Sequence, residues 1–192
     1  MEDSLINYIK VYENFLDEET LNNFLKVCGT NQNFKDAAIV NDSKEKVDLK
    51  IRKTKTWILT NSIDEKSLTS VHWCNYLIHM FSQKIKEYFS VFKGDLNVSI
   101  NDIQVLKYDV GGHYDFHVDH GSSTPRTLSL IFILNDDYEG GDLLFKTNFG
   151  SKEFKIKTKN NTLIIWPSNF LYPHCVTPVT KGVRYSVVSW AL

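Results

Sequence analysis

The stretch "YDVGGHYDFHVDH", residues 108–120, decides how this chain is read. Its thirteen positions hold three histidines, three aspartates, two tyrosines and two glycines. His113, Asp115, His117 and Asp119 recur at every second residue. In a β-strand, residues i and i+2 project to the same face about 6.5–7 Å apart, so an H-x-D pair converges on one ion without distorting the backbone. The pairs His113/Asp115, Asp115/His117 and His117/Asp119 all satisfy this, and periodicity does not choose among them. Two side chains rarely fix a transition metal, so a third ligand must come from elsewhere.

Working outward, His120 falls one residue past Asp119 and faces the other side of a continuing strand. His174, in "FLYPHCVTPV", lies 55 residues beyond Asp119 and begins a fresh β segment. Two imidazoles and a carboxylate on adjacent strands form a facial triad, which leaves metal positions open for a co-substrate and dioxygen. Zinc accepts the same donors with water as fourth ligand, so the donor set alone does not name the metal. Arg184, ten residues after His174, is the one strongly basic residue inside the final apolar run "RYSVVSWAL". An isolated charge there is expensive to bury, and the planar guanidinium fork suits a carboxylate, so a bound anion is expected. Ser186, two residues on, shares its face and adds a hydroxyl.

The surrounding segments predict a β-rich fold. From about residue 97 short apolar runs alternate with turns: "VSINDIQVLKY", "TLSLIFILN", "GDLLF", "TLIIWP" and "RYSVVSWAL", with turn chemistry in "NDDYEGGD" and "KTKNN". Such strands suggest a sandwich or barrel, jelly rolls among them. The first half reads as α+β. "INYIKVY" (6–12) and "TKTWILT" (54–60) are strand-like, and residues 29–50 read as a long loop. Asp17 caps a helix whose Leu21, Phe24, Leu25 and Cys28 share a face. The strongest helix spans 65–89, with an apolar stripe through Val71, Cys74, Ile78, Phe81, Ile85 and Tyr88. The expected organisation is one domain over 1–192: helical and strand support with a substrate loop in 1–96, and a jelly-roll core in 97–192.

Composition narrows the classes. Lys and Arg total 22 against 23 Asp and Glu, which argues against a protein held to nucleic acid by excess positive charge. "KEKVDLKIRKTK" (44–55) is a local basic exception, read chiefly as a solvated loop. The N-terminus carries early acids and no signal-peptide pattern, and no segment approaches the roughly 20 apolar residues of a membrane span. Cys28, Cys74 and Cys175 form neither a disulfide framework nor a zinc knuckle, so a cytoplasmic setting is expected.

With these residues in place, "YDVGGHYDFHVD" resembles the Y-x-x-G-x-x-Y-x-x-H-x-D signature of prolyl 4-hydroxylase-like Fe(II)/2-oxoglutarate dioxygenases, of the small microbial or viral type. "RTLSLIFILND", "EGGDLLF" and "PHCVTPVTKGVRYSVVSW" follow in the family's order, and "VYENFLDEETLNNFL" and "KIRKTKTWIL" resemble its N-terminal elements. The resemblance implies a double-stranded β-helix, mainly β with N-terminal helices. It implies His117, Asp119 and His174 as iron ligands, Arg184 on the far carboxylate of 2-oxoglutarate, and Tyr108 in that pocket, where the strand face also puts Ser186. Gly111 and Gly112 become the turn into the metal strand. The implied cofactors are Fe(II), 2-oxoglutarate and O2, with ascorbate as reductant. The implied reaction hydroxylates an unactivated C–H while 2-oxoglutarate becomes succinate and CO2. A prolyl or other residue of a peptide or protein is the expected substrate, and a free amino acid or other small molecule the alternative. A catalytically silent jelly-roll binding module is a rival from another class, and a zinc hydrolase lacks an obvious general-base glutamate.

Other residues receive blander readings. His113, Asp115 and His120 are expected at the rim, and Tyr114 as packing beside the site. Trp57 and Trp166 are expected in the core or shaping the groove. Cys175 has no evident base and is not a nucleophile. Segments 31–56 and 120–126 are the candidate substrate-gripping loops.

Overall fold

The computed structural model describes residues 3–41, 44–60, 67–91, 98–122, 124–147 and 152–192. Expected features at 42–43, 65–66, 97 and 123 lie outside these residues. In chain order the first half runs α1 (Asp3–Ile6), β1 (Lys10–Tyr12), α2 (Glu18–Thr30), β2 (Lys35–Asp36), β3 (Ile39–Asn41), β4 (Lys44–Lys46), β5 (Arg52–Lys53), β6 (Lys55–Ile58) and α3 (Leu68–Val91). The second half continues through β7 (Ile100–Tyr108), β8 (His113–His117), β9 (Leu128–Ile133), β10 (Glu139–Gly140), β11 (Leu143–Thr147), β12 (Lys152–Lys155) and β13 (Thr162–Pro167). It ends with β14 (His174–Val176), β15 (Val179–Lys181) and β16 (Arg184–Ala191).

Two antiparallel sheets face each other. The larger has the order β1-β13-β9-β16-β7-β6-β2, and the smaller β12-β11-β14-β8-β5. Strands from the first half therefore enter both sheets: β6 pairs with β7, and β5 pairs with β8. This is the jelly-roll arrangement that the strand spacing and the family resemblance suggest. Alternation along the large sheet divides its side chains between two layers. Trp57, Ile103, Val105, Phe132 and Val187 pack outward against Phe24, Cys28, Leu77 and Phe81 of α2 and α3. Ile131, Ile133, Ile164 and Trp166 face inward against Leu143 and Phe145 of the small sheet. Because β9 is covered on both faces, all six of its residues are buried, which explains a run that is apolar except for Ser129.

Helix α2 begins where expected, with Asp17 accepting a hydrogen bond from the Thr20 amide at 2.8 Å. Three expectations are corrected. The segment 6–12 is not one strand: α1 and a turn occupy its first half, the Ile9 amide bonds the Ile6 carbonyl at 2.9 Å, and only Lys10–Tyr12 pairs with β13. Residues 29–50 are not structureless, because α2 runs on to Thr30 and β2, β3 and β4 follow. The buried ridge of α3 is rotated from the expected stripe. Trp73 and Leu77 are buried beside Cys74, Phe81, Ile85 and Tyr88, while Val71 and Ile78 are half-buried. Trp73 meets Phe24 of α2 with ring centroids 4.5 Å apart, a contact that a single-helix pattern does not reveal. Among the described residues no helix is long and apolar enough to cross a membrane.

Candidate metal centre and anion pocket

Strand pairing brings His117 and His174 together. The two residues sit directly opposite each other where β8 and β14 run side by side, and their ring centroids are 4.3 Å apart. Asp119 lies two residues past the end of β8. Its Oδ1 is 3.5 Å from His117 Nε2, and its Oδ2 is 3.5 Å from His174 Nε2. Donor atoms of these three residues all lie within 4.8 Å of one another.

The backbone sets which ring nitrogen is free. His117 Nδ1 donates to the Asp115 carbonyl at 2.8 Å, and His174 Nδ1 donates to the Tyr172 carbonyl at 3.0 Å. Each imidazole then presents a bare Nε2 lone pair to the same point, the tautomer a metal ligand requires. Asp119 is oriented from behind by Ser129, whose hydroxyl donates to Oδ2 at 2.6 Å and contacts the Ser168 hydroxyl at 2.8 Å. Burial opposes ionisation of the Asp119 carboxyl, yet the adjacent His174 and His117 rings and the hydrogen bond from Ser129 outweigh it and hold it well below the usual carboxylate range. Burial, joined by the His117 ring, pushes the His174 imidazole down to about 4 against the pull of Asp119. The set therefore offers one carboxylate anion and a neutral His174 nitrogen beside the His117 imidazole, a combination suited to a divalent ion.

A cavity of about 500 Å³ opens between the sheets over this triad. One wall is a ladder formed by β7 and β16. Arg184 pairs with Tyr108, Ser186 with Leu106, Val188 with Gln104, and Trp190 with Asp102. Tyr108, Leu106, Gln104, Asp102, Val188 and Trp190 line the cavity. Arg184 does not line it. It lies one side-chain layer behind, fully buried, with its guanidinium carbon 5.1 Å from the centre of the Tyr108 ring. One Nη1 hydrogen bond goes to Ser186 Oγ at 2.9 Å, while Nε and Nη2 have no partner among the described residues. A buried guanidinium with two unanswered nitrogens is the state expected where an anion belongs. Ser186 thus holds Arg184 in place.

The other residues singled out from the sequence separate cleanly. Tyr114 stacks on His117 at 3.6 Å between ring centroids. His113 turns away, its two nitrogens 3.1 Å from the carbonyls of Gly111 and Lys50. Asp115 is exposed, and His120 lines the cavity rim with Nδ1 on the Arg126 carbonyl at 2.8 Å. Trp57 is core, whereas Trp166 lines the cavity and meets His174 edge-on at 4.9 Å. Burial pushes the Cys175 thiol up to about 11, which agrees with its rejection as a nucleophile. Gly111 adopts φ +79°, a conformation that glycine supplies freely. Ala37, Ala38, Ile39 and Arg52 from the first candidate loop line the cavity, as do Gly121, Ser122, Thr124 and Arg126 from the second.

Several residues at the site are not evident from sequence patterns. Arg126 lies 3.7 Å over the Trp190 ring and 3.8 Å from Asp119 Oδ1. Arg52 bonds the Ala38 carbonyl at 2.9 Å and lies over Tyr114. Ser129 carries a legible signal, since it is the one hydroxyl inside the otherwise apolar run 128–134. Arg126 and Arg52 carry none, because a loop and a two-residue strand have no period to read.

Residues 103–192 match the model of the 2OG-Fe(II) oxygenase superfamily. A PKHD-type hydroxylase of Synechococcus sp. is 39% identical over 95 residues, covering 47% of this chain and 41% of that protein. One from Pseudomonas aeruginosa is 33% identical over 93 residues, covering 43% and 39%. This match therefore spans about two-fifths of those relatives. Among solved structures, a prolyl hydroxylase from Trichoplax adhaerens in complex with a hypoxia inducible factor peptide fragment has a TM-score of 0.73 at 20% identity, covering all of this chain and 88% of that one. A Pseudomonas putida prolyl-4-hydroxylase has a TM-score of 0.71 at 18% identity, covering 100% and 98%. These likenesses carry the fold.

Proposed function

We propose that this chain is a 2OG-Fe(II) oxygenase that hydroxylates an unactivated C–H of a prolyl or other residue in a peptide or protein, with 2-oxoglutarate as co-substrate. The observation that carries the reading is the pairing of three convergent metal donors with an unanswered buried guanidinium beside the same cavity. A hydrolase needs only the first of these features. A silent binding module needs neither.

His117, Asp119 and His174 would hold Fe(II). The iron, when bound with 2-oxoglutarate and O2, supplies the oxidising power for C–H hydroxylation as the co-substrate becomes succinate and CO2. Arg184 offers the planar fork that recognises the far carboxylate, and Ser186 keeps it from swinging. Tyr108 forms the adjoining wall, and with Leu106 and Val188 it keeps that end of the site dry. Low local polarity there strengthens the carboxylate–guanidinium contact. Ascorbate belongs to the same reading as the reductant that keeps iron ferrous. The peptide preference draws on the Trichoplax structure, which holds a peptide fragment.

The test is spectroscopic and chemical. Protein given Fe(II) and 2-oxoglutarate without oxygen is expected to develop a visible charge-transfer band, and admitting O2 is expected to release succinate. Correctly folded protein that yields neither band nor succinate sinks the proposal.

A further inference from the structure

We propose that Asp102 determines substrate specificity by binding a cationic group, a lysine-type ammonium or an arginine-type guanidinium, beside the carbon that is oxidised. The inference rests on the oxygenase reading and names the substrate class that the site selects.

On β7, Asp102, Gln104, Leu106 and Tyr108 share the inward face and line the cavity in that order. Two residues of strand advance about 6.5–7 Å, so Asp102 stands roughly 20 Å along the wall from Tyr108 and the Arg184 rung. That spacing separates it from the end where a dicarboxylate would sit. Its cross-strand partner is Trp190, with the Ile58 side chain nearby on the cavity wall. Among the described residues that line the cavity, Asp102 and Asp119 are the two carboxylates. Asp119 is committed to the two histidines and Ser129.

Asp102 has no such commitment. Its Oδ1 accepts from the Thr60 hydroxyl at 3.0 Å and its Oδ2 from the Gln104 amide at 2.5 Å. Gln104 is itself braced, its Oε1 accepting from Thr56 Oγ1 at 3.4 Å. Both donors are neutral, and among the described residues no lysine or arginine forms an ion pair with this carboxylate. Arg126 and Arg52, the cavity's two lining arginines, make their direct contacts elsewhere: Arg126 lies over Trp190 beside Asp119 and feels the Asp102 charge without bonding it, and Arg52 sits on Tyr114 and the Ala38 carbonyl. A half-buried carboxylate held rigid by neutral donors, with no direct ion pair among the described residues, is preorganised for an incoming cation. Trp190 and Ile58 add the apolar surface on which a long aliphatic stem packs while its charged head reaches Asp102.

The probe is a set of acetylated, amidated pentapeptides with a central proline and lysine, norleucine or glutamate at each flanking position in turn. Binding is measured by calorimetry on protein loaded with Mn(II) and 2-oxoglutarate under argon. At one position lysine is expected to bind at least about tenfold tighter than norleucine, with glutamate weakest. Asp102→Asn keeps the side-chain size and is expected to shrink that preference to about twofold or less, and Asp102→Lys to favour glutamate instead. A purely structural Asp102 would lower stability without inverting the charge preference. Wild-type protein that fails to distinguish lysine from norleucine at any position, or an Asp102→Asn variant that keeps the full preference, overturns the proposal. Succinate release on the same samples separates the two readings. Lysine preference without succinate sinks the oxygenase reading alone; succinate without lysine preference sinks this one alone.

Discussion

Asp119, lining the cavity, is ringed by His117, His174, Ser129 and Arg126, whereas Arg184, buried beside Tyr108, has one hydroxyl partner and two unanswered nitrogens. The first region is nearly self-consistent without a ligand: backbone carbonyls fix both rings, and the carboxylate is hydrogen-bonded. The second is unfinished, and its unfinished state is destabilising. Leaving a buried donor unpaired costs about 1–3 kcal/mol, more for a charged group. Proteins violate polar satisfaction mainly where function repays it. The contrast teaches that the triad's geometry is written into the strands, while the anion pocket is completed only by what it binds.

The sharpest way to break this contrast is at the triad. His174→Ala removes a donor that no nearby side chain replaces, and it is expected to lower metal affinity and succinate release by more than about a hundredfold, beyond the 10–100-fold typical of outer-shell changes. Metal titration and product analysis check it. Ser129→Ala is expected to fall within that outer-shell range, about 10–100-fold in metal affinity, because Asp119 loses the donor that aims it. An unchanged affinity would mean that the strand alone positions the carboxylate. At the other end Arg184→Met should act in opposite senses on two measurements. The ligand-free variant is expected to unfold at a higher temperature, gaining about 1–3 kcal/mol from removal of unpaired donors. It should also lose the thermal shift that 2-oxoglutarate gives the parent. A variant that is less stable without ligand would show that Arg184 is structurally satisfied, and the contrast would fail.

Legibility in the sequence follows the physical range of each signal. The jelly-roll strands are visible because alternation and turn residues are local, and Asp17 marks its helix start through a bond only three residues long. His117 and Asp119 are not separable from His113 and Asp115 by periodicity. What separates them in the structure is where β8 ends and where its carbonyls point: His113 is consumed by Gly111 and Lys50, and Asp115 faces solvent. The buried face of α3 lies part of a turn from the patterned stripe because Trp73 and Leu77 answer to Phe24 and the large sheet, a tertiary demand that no single-helix pattern records. Asp102 and Gln104 are hidden for the opposite reason. Alternation alone puts them in line with Tyr108, but nothing local in the strand says that this face lines a cavity.

The smallest expected effect probes the anion pocket through its backbone. Gly141 has φ +62°, and a Cβ there would stand 2.9 Å from Arg184 Cδ and 3.1 Å from Tyr138 and Val179 side-chain atoms. Gly141→Ala adds a methyl in a left-handed conformation and presses on the arginine stem, with an expected loss of about 1–2 kcal/mol in stability. Because the nearest atom is in the middle of a long side chain, the stem yields by a few tenths of an ångström and carries the guanidinium with it. The expected signature is a 2-oxoglutarate affinity reduced by about three- to tenfold with metal affinity unchanged. Parallel titrations of the two ligands read the difference. If both fall together, the pocket and the triad are one mechanical unit, because a push on β16 would then reach β8 and β14 across the cavity. If only 2-oxoglutarate weakens, the two ends of the site are held independently, as the separate sheets that carry them imply.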